Sequence, residues 1–170
     1  MRHYALYVVV YGVLGFFLER LINLVVLGSW LDNSLLFGPY QLMYGIGVTL
    51  SVIAYGSLKH IFKHKVIFYA LFFLVAILIT GLVEHTVGTL HRQLYSIVLW
   101  DYRMTFTLCT RPFTCFIPTG LFGILAGLTV VFVHGSIKSL VYKIPAPAAF
   151  LVLVGVGIDI IITYAGGIQI

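Results

Sequence analysis

Charge is scarce in this chain of 170 residues. Only 9% of the residues are charged and five are acidic, whereas 61% are apolar and the mean hydropathy is +1.10. Soluble domains carry about 25% charged residues, so the composition excludes an ordinary soluble domain. The net charge of +5 forms no extensive basic face, which argues against nucleic acid as a partner. A lipid bilayer is therefore the predicted environment of the chain.

Motifs of catalysis and of ATP binding are also lacking. The sequence has no Gly-x-x-x-x-Gly-Lys-Ser/Thr phosphate loop, no His-Glu-x-x-His and no serine elbow. The chain therefore cannot hydrolyse ATP through such a loop, and its catalytic residues, if any, stay unknown. His60 and His64 fall in a basic loop and His134 is predicted far from His85, which disfavours paired-histidine haem ligation. No metal site is predicted, and the cofactor is left open.

Cysteine is limited to Cys109 and Cys115. In an oxidising exterior the two could form a disulfide across a short loop, but their spacing does not show the geometry that a disulfide needs. Two cysteines without a second pair nearby are a weaker signal for a metal site. The sequence leaves open whether they are joined.

Apolar runs long enough to cross a bilayer occur five times. A transmembrane helix needs about 20 largely apolar residues, because the hydrocarbon core is roughly 30 Å thick and a helix rises about 1.5 Å per residue. The predicted fold is an all-α, polytopic transmembrane helical bundle that forms a single integral membrane domain over residues 1–170. The predicted spans are residues 4–27, 41–58, 66–85, 116–137 and 146–164. In the fourth span, Gly120, Gly123 and Gly127 predict close contact with another helix.

Lysine and arginine predict the orientation. The side that carries the N-terminus holds six basic residues and no acidic ones, namely Arg2, Lys59, Lys63, Lys65, Lys138 and Lys143. The opposite side holds Arg92, Arg103 and Arg111 together with Asp32 and Asp101. Because basic loops are retained in the cytoplasm, the N-terminus is predicted inside and the C-terminus outside.

Ionisable side chains nevertheless occur in or beside the spans: Glu19, Arg20, Glu84, His85 and Asp159. A charge at the bilayer centre costs about 2.5–3.5 kcal/mol on insertion scales, so such groups normally face protein or water. Three different helices carry the carboxylates at similar depth, which predicts an outward-facing polar cavity where they converge. Arg20 is expected to meet Glu84 or Asp159, and Glu19 to meet Arg111. The alternative is a set of buried ion pairs that hold the bundle together without a ligand.

Two segments on the outer side are predicted to border this cavity. Gly38-Pro39 breaks the helix before the second span, so residues 28–47 form either a re-entrant or kinked segment that includes Tyr44, or an ordinary turn. In residues 89–114, apolar side chains at helical spacing predict a helix lying in the membrane interface. The residues that follow it suit the headgroup level and could cap the cavity or contact a ligand: Trp100, Asp101 and Arg103.

Four short motifs occur in an order that carries a family resemblance. They are Gly15-Phe16-Phe17-Leu18-Glu19, then Phe37-Gly38-Pro39-Tyr40 leading to Tyr44-Gly45-Ile46-Gly47, then Glu84, then Trp100-Asp101-Tyr102. Over roughly Gly12 to Gly127 the chain resembles the bacterial membrane proteins of the family described as putative ABC-transporter type IV. The resemblance implies a transport role in the cell membrane, with an ATPase as a partner.

Taken together, these patterns favour a transport-related membrane protein that binds a small molecule in the outward-facing cavity. Without its own phosphate loop it would need a partner ATPase or an ion gradient. Two alternatives stay open: a membrane enzyme acting on a lipid or another amphiphile at the outer leaflet, with Glu84 and His85 as acid and base, and a structural or accessory subunit. The candidate ligand-binding residues are Glu19, Arg20, Tyr44, Glu84, His85, Trp100, Asp101, Arg103, Arg111 and Asp159.

Overall fold

The computed structural model describes residues 2–28, 30, 34–105 and 107–166, so Asp32 lies outside the described residues. This part of the chain is helical and contains no strand. The helices are α1 (Arg2–Leu27), α2 (Leu42–Ile61), α3 (Lys65–Tyr95), the short α4 (Tyr102–Thr105), α5 (Phe116–Leu128), α6 (His134–Lys143) and α7 (Ala146–Ala165). A π-helical turn, Thr129–Val133, joins α5 to α6.

Five helices in the described residues are long and apolar enough to cross a membrane. Four of them are α1, α2, α3 and α7, and the fifth is the continuous helix Phe116–Lys143 made of α5, the π-helical turn and α6. The prediction of an all-α protein with five membrane-spanning helices is therefore confirmed. The helices that contain the third and fourth predicted spans extend beyond the predicted boundaries, to Tyr95 and to Lys143.

α3 is the longest helix in the described part of the chain. Its 31 residues extend over about 46 Å, whereas the hydrocarbon core of a bilayer is roughly 30 Å thick. The stretch predicted as a separate interfacial helix belongs, as far as Tyr95, to the last turns of α3. The helix ends at Ser96, which adopts the left-handed conformation with φ 59° and donates its N–H to the His91 carbonyl. α3 thus presents polar residues several turns beyond the predicted end of the span.

The chain forms two compact units. The middle unit, named for its place in the sequence, comprises Gly47–Gly135, and the terminal unit comprises Met1–Ile46 with Ser136–Ile170. The prediction that the whole chain is one membrane domain stays a prediction.

Close packing of α3 on α5 organises the middle unit. A Cβ atom on Gly123 would lie 2.5 Å from the Ile77 Cα atom, and one on Gly127 would lie 2.6 Å from the Phe73 ring. The small-residue contact predicted for the fourth span is therefore confirmed, and its partner is α3 of the same chain. A Cβ atom on Gly120 would meet nothing within 4 Å, so this glycine does not contribute to the contact.

We expect Gly123→Ala to lower the free energy of unfolding by about 1–3 kcal/mol, a cost typical of overpacking. The added methyl group would meet the backbone of α3 at Ile77, which can yield only if the two helices separate. Titration with SDS in mixed micelles measures the effect, and Gly120→Ala is the matched control because its methyl group has free space. Equal stability of the two variants would contradict this packing.

The terminal unit is organised around α1. α1 contacts α7 along the chain's last span. The segment that leads into α2 docks on α1, since the Gln41 N–H donates to the Gly12 carbonyl at 3.0 Å. The Tyr44 side chain covers Gly15, where a Cβ atom would lie 2.5 Å from the tyrosine Cβ. A Cβ atom on Gly45 would come even closer to α1, to the Val8 carbonyl oxygen, so Gly15 and Gly45 together allow α1 and the beginning of α2 to approach.

Candidate functional site

Glu84 is the most deeply buried acidic side chain in the described part of the chain, with 2% of its surface exposed. Its Oε1 atom accepts a hydrogen bond from the Tyr102 hydroxyl at 2.8 Å, and its Oε2 atom accepts one from the Thr119 hydroxyl at 2.5 Å. The Thr119 oxygen in turn accepts the Cys115 N–H at 3.1 Å. Glu84 therefore joins α3 to α4 and to the beginning of α5, and both of its oxygens are engaged.

His85 faces a different environment from its neighbour Glu84. It lines an open cleft of about 410 Å³ at the C-terminal end of α3. Positions 85, 89, 92 and 93 share one face of a helix because residues four, seven and eight apart stack along it. The cleft is lined by His85, Thr89, Arg92 and Gln93 from α3, and by Arg111, Pro112 and Phe113 from the loop that precedes α5.

Phe113 anchors this loop on α3. Its side chain is 4% exposed and lies against Gly88, where a Cβ atom would come within 2.5 Å of the ring carbon Cδ1. The Trp100 ring meets the Phe113 ring edge-on with 5.9 Å between centroids, and the indole N–H donates to the Phe113 carbonyl at 3.3 Å. Trp100, a predicted ligand contact, thus supports the wall of the cleft.

A disulfide closes the same loop. Cys109 and Cys115 are joined, with 5.3 Å between their Cα atoms, which answers the question that the sequence leaves open. Arg111 lies inside this short ring of chain. The Pro112 carbonyl also accepts the Tyr102 N–H at 2.8 Å. Arg111 is therefore presented from a loop that is covalently and sterically restrained beside α3.

Positive charge predominates at the cleft. Arg92 and Arg111 line it, and none of the described residues that line it is acidic. Asp101, in the chain between α3 and α4, forms an ion pair with Arg103, whose Nε donates to Asp101 at 2.9 Å. Hydrogen bonds from Arg103, helped by the charge of Arg92, hold the pKa of Asp101 below its ordinary value. Asp101 is therefore paired mainly with Arg103 and offsets the charge of Arg92 only in part.

Asp159, in the terminal unit, resembles Glu84 in accepting hydrogen bonds from several protein groups. From the segment before α2, its oxygens accept hydrogen bonds from the Phe37 N–H at 3.1 Å, the Gly38 N–H at 2.8 Å and the Tyr40 hydroxyl. Within α7, they accept one from the Thr163 hydroxyl at 3.2 Å. Burial and the hydrogen bond to Asp159 raise the pKa of Tyr40. Asp159 therefore fastens the non-helical segment before α2 to α7.

A family model described as Putative ABC-transporter type IV matches residues 6–164. The chain belongs to this family. The match is longer than the predicted Gly12 to Gly127 and extends through most of α7. No curated protein and no solved structure matches the chain. The family description relates this multi-pass membrane protein to ABC transporters.

Within this family member, the ten predicted ligand-binding residues divide between the two units. Glu19, Arg20, Tyr44 and Asp159 lie in the terminal unit, and the other six lie in the middle unit. Arg20 is 8% exposed and its guanidinium carbon lies 3.6 Å from the centre of the Phe16 ring. The convergence of Glu19, Glu84 and Asp159 in one cavity stays a prediction, as do the pairings proposed for Glu19 and Arg20.

Only two of the six predicted residues in the middle unit, His85 and Arg111, line the cleft. Sequence reasoning missed Thr119 as a partner of Glu84. It also missed five of the lining residues: Thr89, Arg92, Gln93, Pro112 and Phe113. Helical spacing from His85 would have found the lining residues on α3, whereas no local pattern marks Phe113 or Thr119. In the described part of the chain no three His, Cys, Asp or Glu side chains could share a metal ion.

Proposed function

We propose that this protein is a transport-related membrane protein that binds a small solute in the cleft at the C-terminal end of α3. The observation that carries the proposal is the cleft itself, where polar side chains of α3 and of the disulfide-closed loop face a common space of about 410 Å³. A concave site where a few polar side chains converge is the usual form of a small-molecule site, so this arrangement favours binding. The family description supports a role in transport.

The hydrogen bonds of the acidic residues argue against placing the solute-binding site at their carboxylates. Glu84 and Asp159 each accept hydrogen bonds from several protein groups, which favours a structural role for both carboxylates. Glu84 and His85 also have different surroundings, so they do not form the acid and base pair that an enzyme would need. Solute binding is therefore assigned to the cleft residues rather than to the buried carboxylates.

Two separate features support an outward-facing cleft. Disulfides persist in oxidising compartments, and Cys109 and Cys115 lie in the loop between the third and fourth spans. Three lysines lie at the junction of the second and third spans: Lys59 in the last turn of α2, Lys63 in the loop and Lys65 at the beginning of α3. Such a basic cluster is typical of the cytoplasmic side. Because consecutive loops lie on opposite sides of a membrane, both features favour the same orientation, with the N-terminus inside.

Transport requires a source of energy that the chain does not encode. It has no phosphate loop, so ATP hydrolysis would come from a partner ATPase, and an ion gradient is the alternative. In this arrangement the protein supplies the membrane passage or the solute-binding subunit. The partner would dock at the cytoplasmic side, where the lysines lie.

The proposal is tested by solute-dependent thermal stabilisation of the purified protein in detergent. Neutral, cationic, zwitterionic and anionic solutes are compared, and at least one class is expected to raise the unfolding temperature. The response should be lost when Thr89→Ala is combined with Gln93→Ala, two cleft residues, and kept in Ser139→Ala, an exposed serine on α6. If no class of solute stabilises the wild-type protein, solute binding is wrong and an accessory subunit becomes the better interpretation.

A further inference from the structure

The cleft has the donors of an anion site. Arg92 and Arg111 each provide a planar fork of N–H donors, which matches the oxygens of phosphate and carboxylate groups. Thr89 and Gln93 add neutral donors on the same face of α3, and His85 adds a ring nitrogen. Acidic side chains are not among the described lining residues, so the N–H and O–H donors of the cleft have no carboxylate acceptor within it.

The two nearby carboxylates are already engaged elsewhere. Glu84 precedes His85 in the sequence, but its oxygens accept hydrogen bonds from Tyr102 and Thr119. Asp101 is held by Arg103 through two side-chain nitrogens and one backbone N–H. An anion that enters the cleft would therefore meet arginine charge that these carboxylates only partly offset.

The number of donors and the size of the cleft distinguish among anions. Five side chains with donor groups exceed what the two oxygens of one carboxylate need, whereas a phosphate group offers more acceptor oxygens. The volume of about 410 Å³ is far larger than a phosphate group alone. Pro112 offers an apolar surface for the rest of the molecule, and the buried Phe113 side chain supports the loop beneath it.

We infer that the cleft binds a phosphate monoester or diester, with the phosphate held by Arg92 and Arg111 and an apolar or ring-containing remainder against Pro112. This inference rests on the proposed function and names the class of its solute. The shared chemistry is the phosphate group, which a dissolved phosphate ester or the headgroup of an anionic lipid could supply.

The test measures unfolding temperatures in detergent against a sodium chloride baseline of equal ionic strength. The probes are phenyl phosphate, inorganic phosphate, benzoate, glucose and choline, and a separate arm uses mixed micelles that contain phosphatidylglycerol. Phenyl phosphate or phosphatidylglycerol is expected to stabilise the wild-type protein most. Stabilisation by phenyl phosphate supports a dissolved ester, and stabilisation by phosphatidylglycerol alone supports a lipid headgroup.

Arg92→Gln and Arg111→Gln are each expected to weaken the binding of that probe by about tenfold to a hundredfold, since hydrogen bonds to charged groups are the stronger ones. Lys59→Gln removes the same charge from the last turn of α2, outside the cleft, and should leave binding unchanged. Phosphate binding that survives in both arginine variants would overturn the inference. Stabilisation by glucose, choline or benzoate alone would also overturn the inference, but it would still support solute binding. A lack of response to every probe would contradict the proposed function as well.

Discussion

Glu84→Ala is expected to lower the free energy of unfolding by about 2–4 kcal/mol, because each buried polar group left without a partner costs about 1–3 kcal/mol and the lost side chain leaves a cavity. The hydroxyls of Tyr102 and Thr119 would lose the two Glu84 oxygens to which they donate. Glu84 is 2% exposed, so water cannot easily replace it. SDS titration in mixed micelles measures the loss.

Two companion variants separate the hydrogen bonds from the packing. Glu84→Gln keeps the shape and one acceptor oxygen, so its effect should be smaller than that of alanine. Tyr102→Phe removes one donor and should cost about 1 kcal/mol by itself. In the double variant Glu84→Ala with Tyr102→Phe, the tyrosine change should cost almost nothing more, because its partner is already missing. Additive losses would contradict the interaction between these two side chains.

The sequence could single out Glu84 but not its partners. Ionisable residues are few in this chain, so any acid in an apolar run attracts attention and a charged partner is the natural expectation. The actual partners are hydroxyl groups, and the chain contains 11 tyrosines, none of which is marked by its neighbours as the partner. Tyr102 and Thr119 reach Glu84 only because the loop folds back onto α3.

The number of spans was predictable for a simple reason. Bilayer thickness demands long apolar runs, and these runs are visible in the sequence. The end of α3 was not predictable from hydropathy, because a helix satisfies its backbone hydrogen bonds in water as well as in lipid and can continue beyond the apolar region. The stop occurs at Ser96, which has no helix-breaking sequence signal of the kind that Gly or Pro provides.

The cleft depends on contacts between residues far apart in sequence. Gly88 leaves room for the Phe113 ring, and this contact brings the disulfide-closed loop to α3. A glycine in a helix carries no local sign of the ring that will fill its place. The charges of Arg92 and Arg111 were evident from the sequence as outer-side residues, but their shared cleft follows only from this packing.

Asp159→Ala is expected to lower the free energy of unfolding by about 1–3 kcal/mol, the range for hydrogen bonds to a charged group and for polar groups left without a partner. The segment before α2 would lose the acceptor of two backbone N–H groups, those of Phe37 and Gly38, and of the Tyr40 hydroxyl. Asp159 is only partly buried whereas Glu84 is 2% exposed, so less packing is lost and the effect should be smaller than for Glu84→Ala. Residues 34–41 should also become more sensitive to protease, which limited digestion followed by mass spectrometry would detect.

Two control variants determine whether the carboxylate acts by holding this segment. Thr163→Val removes a neighbour of Asp159 within α7 and leaves the bonds to the segment in place, so cleavage within residues 34–41 should stay at the wild-type rate. Tyr40→Phe removes one of the three donors from the segment and should give an intermediate rate. Because each bond to the segment restrains the same short stretch of backbone, cleavage should increase with the number of bonds removed. Protection of the segment in Asp159→Ala at the wild-type level would show that its position does not depend on this side chain.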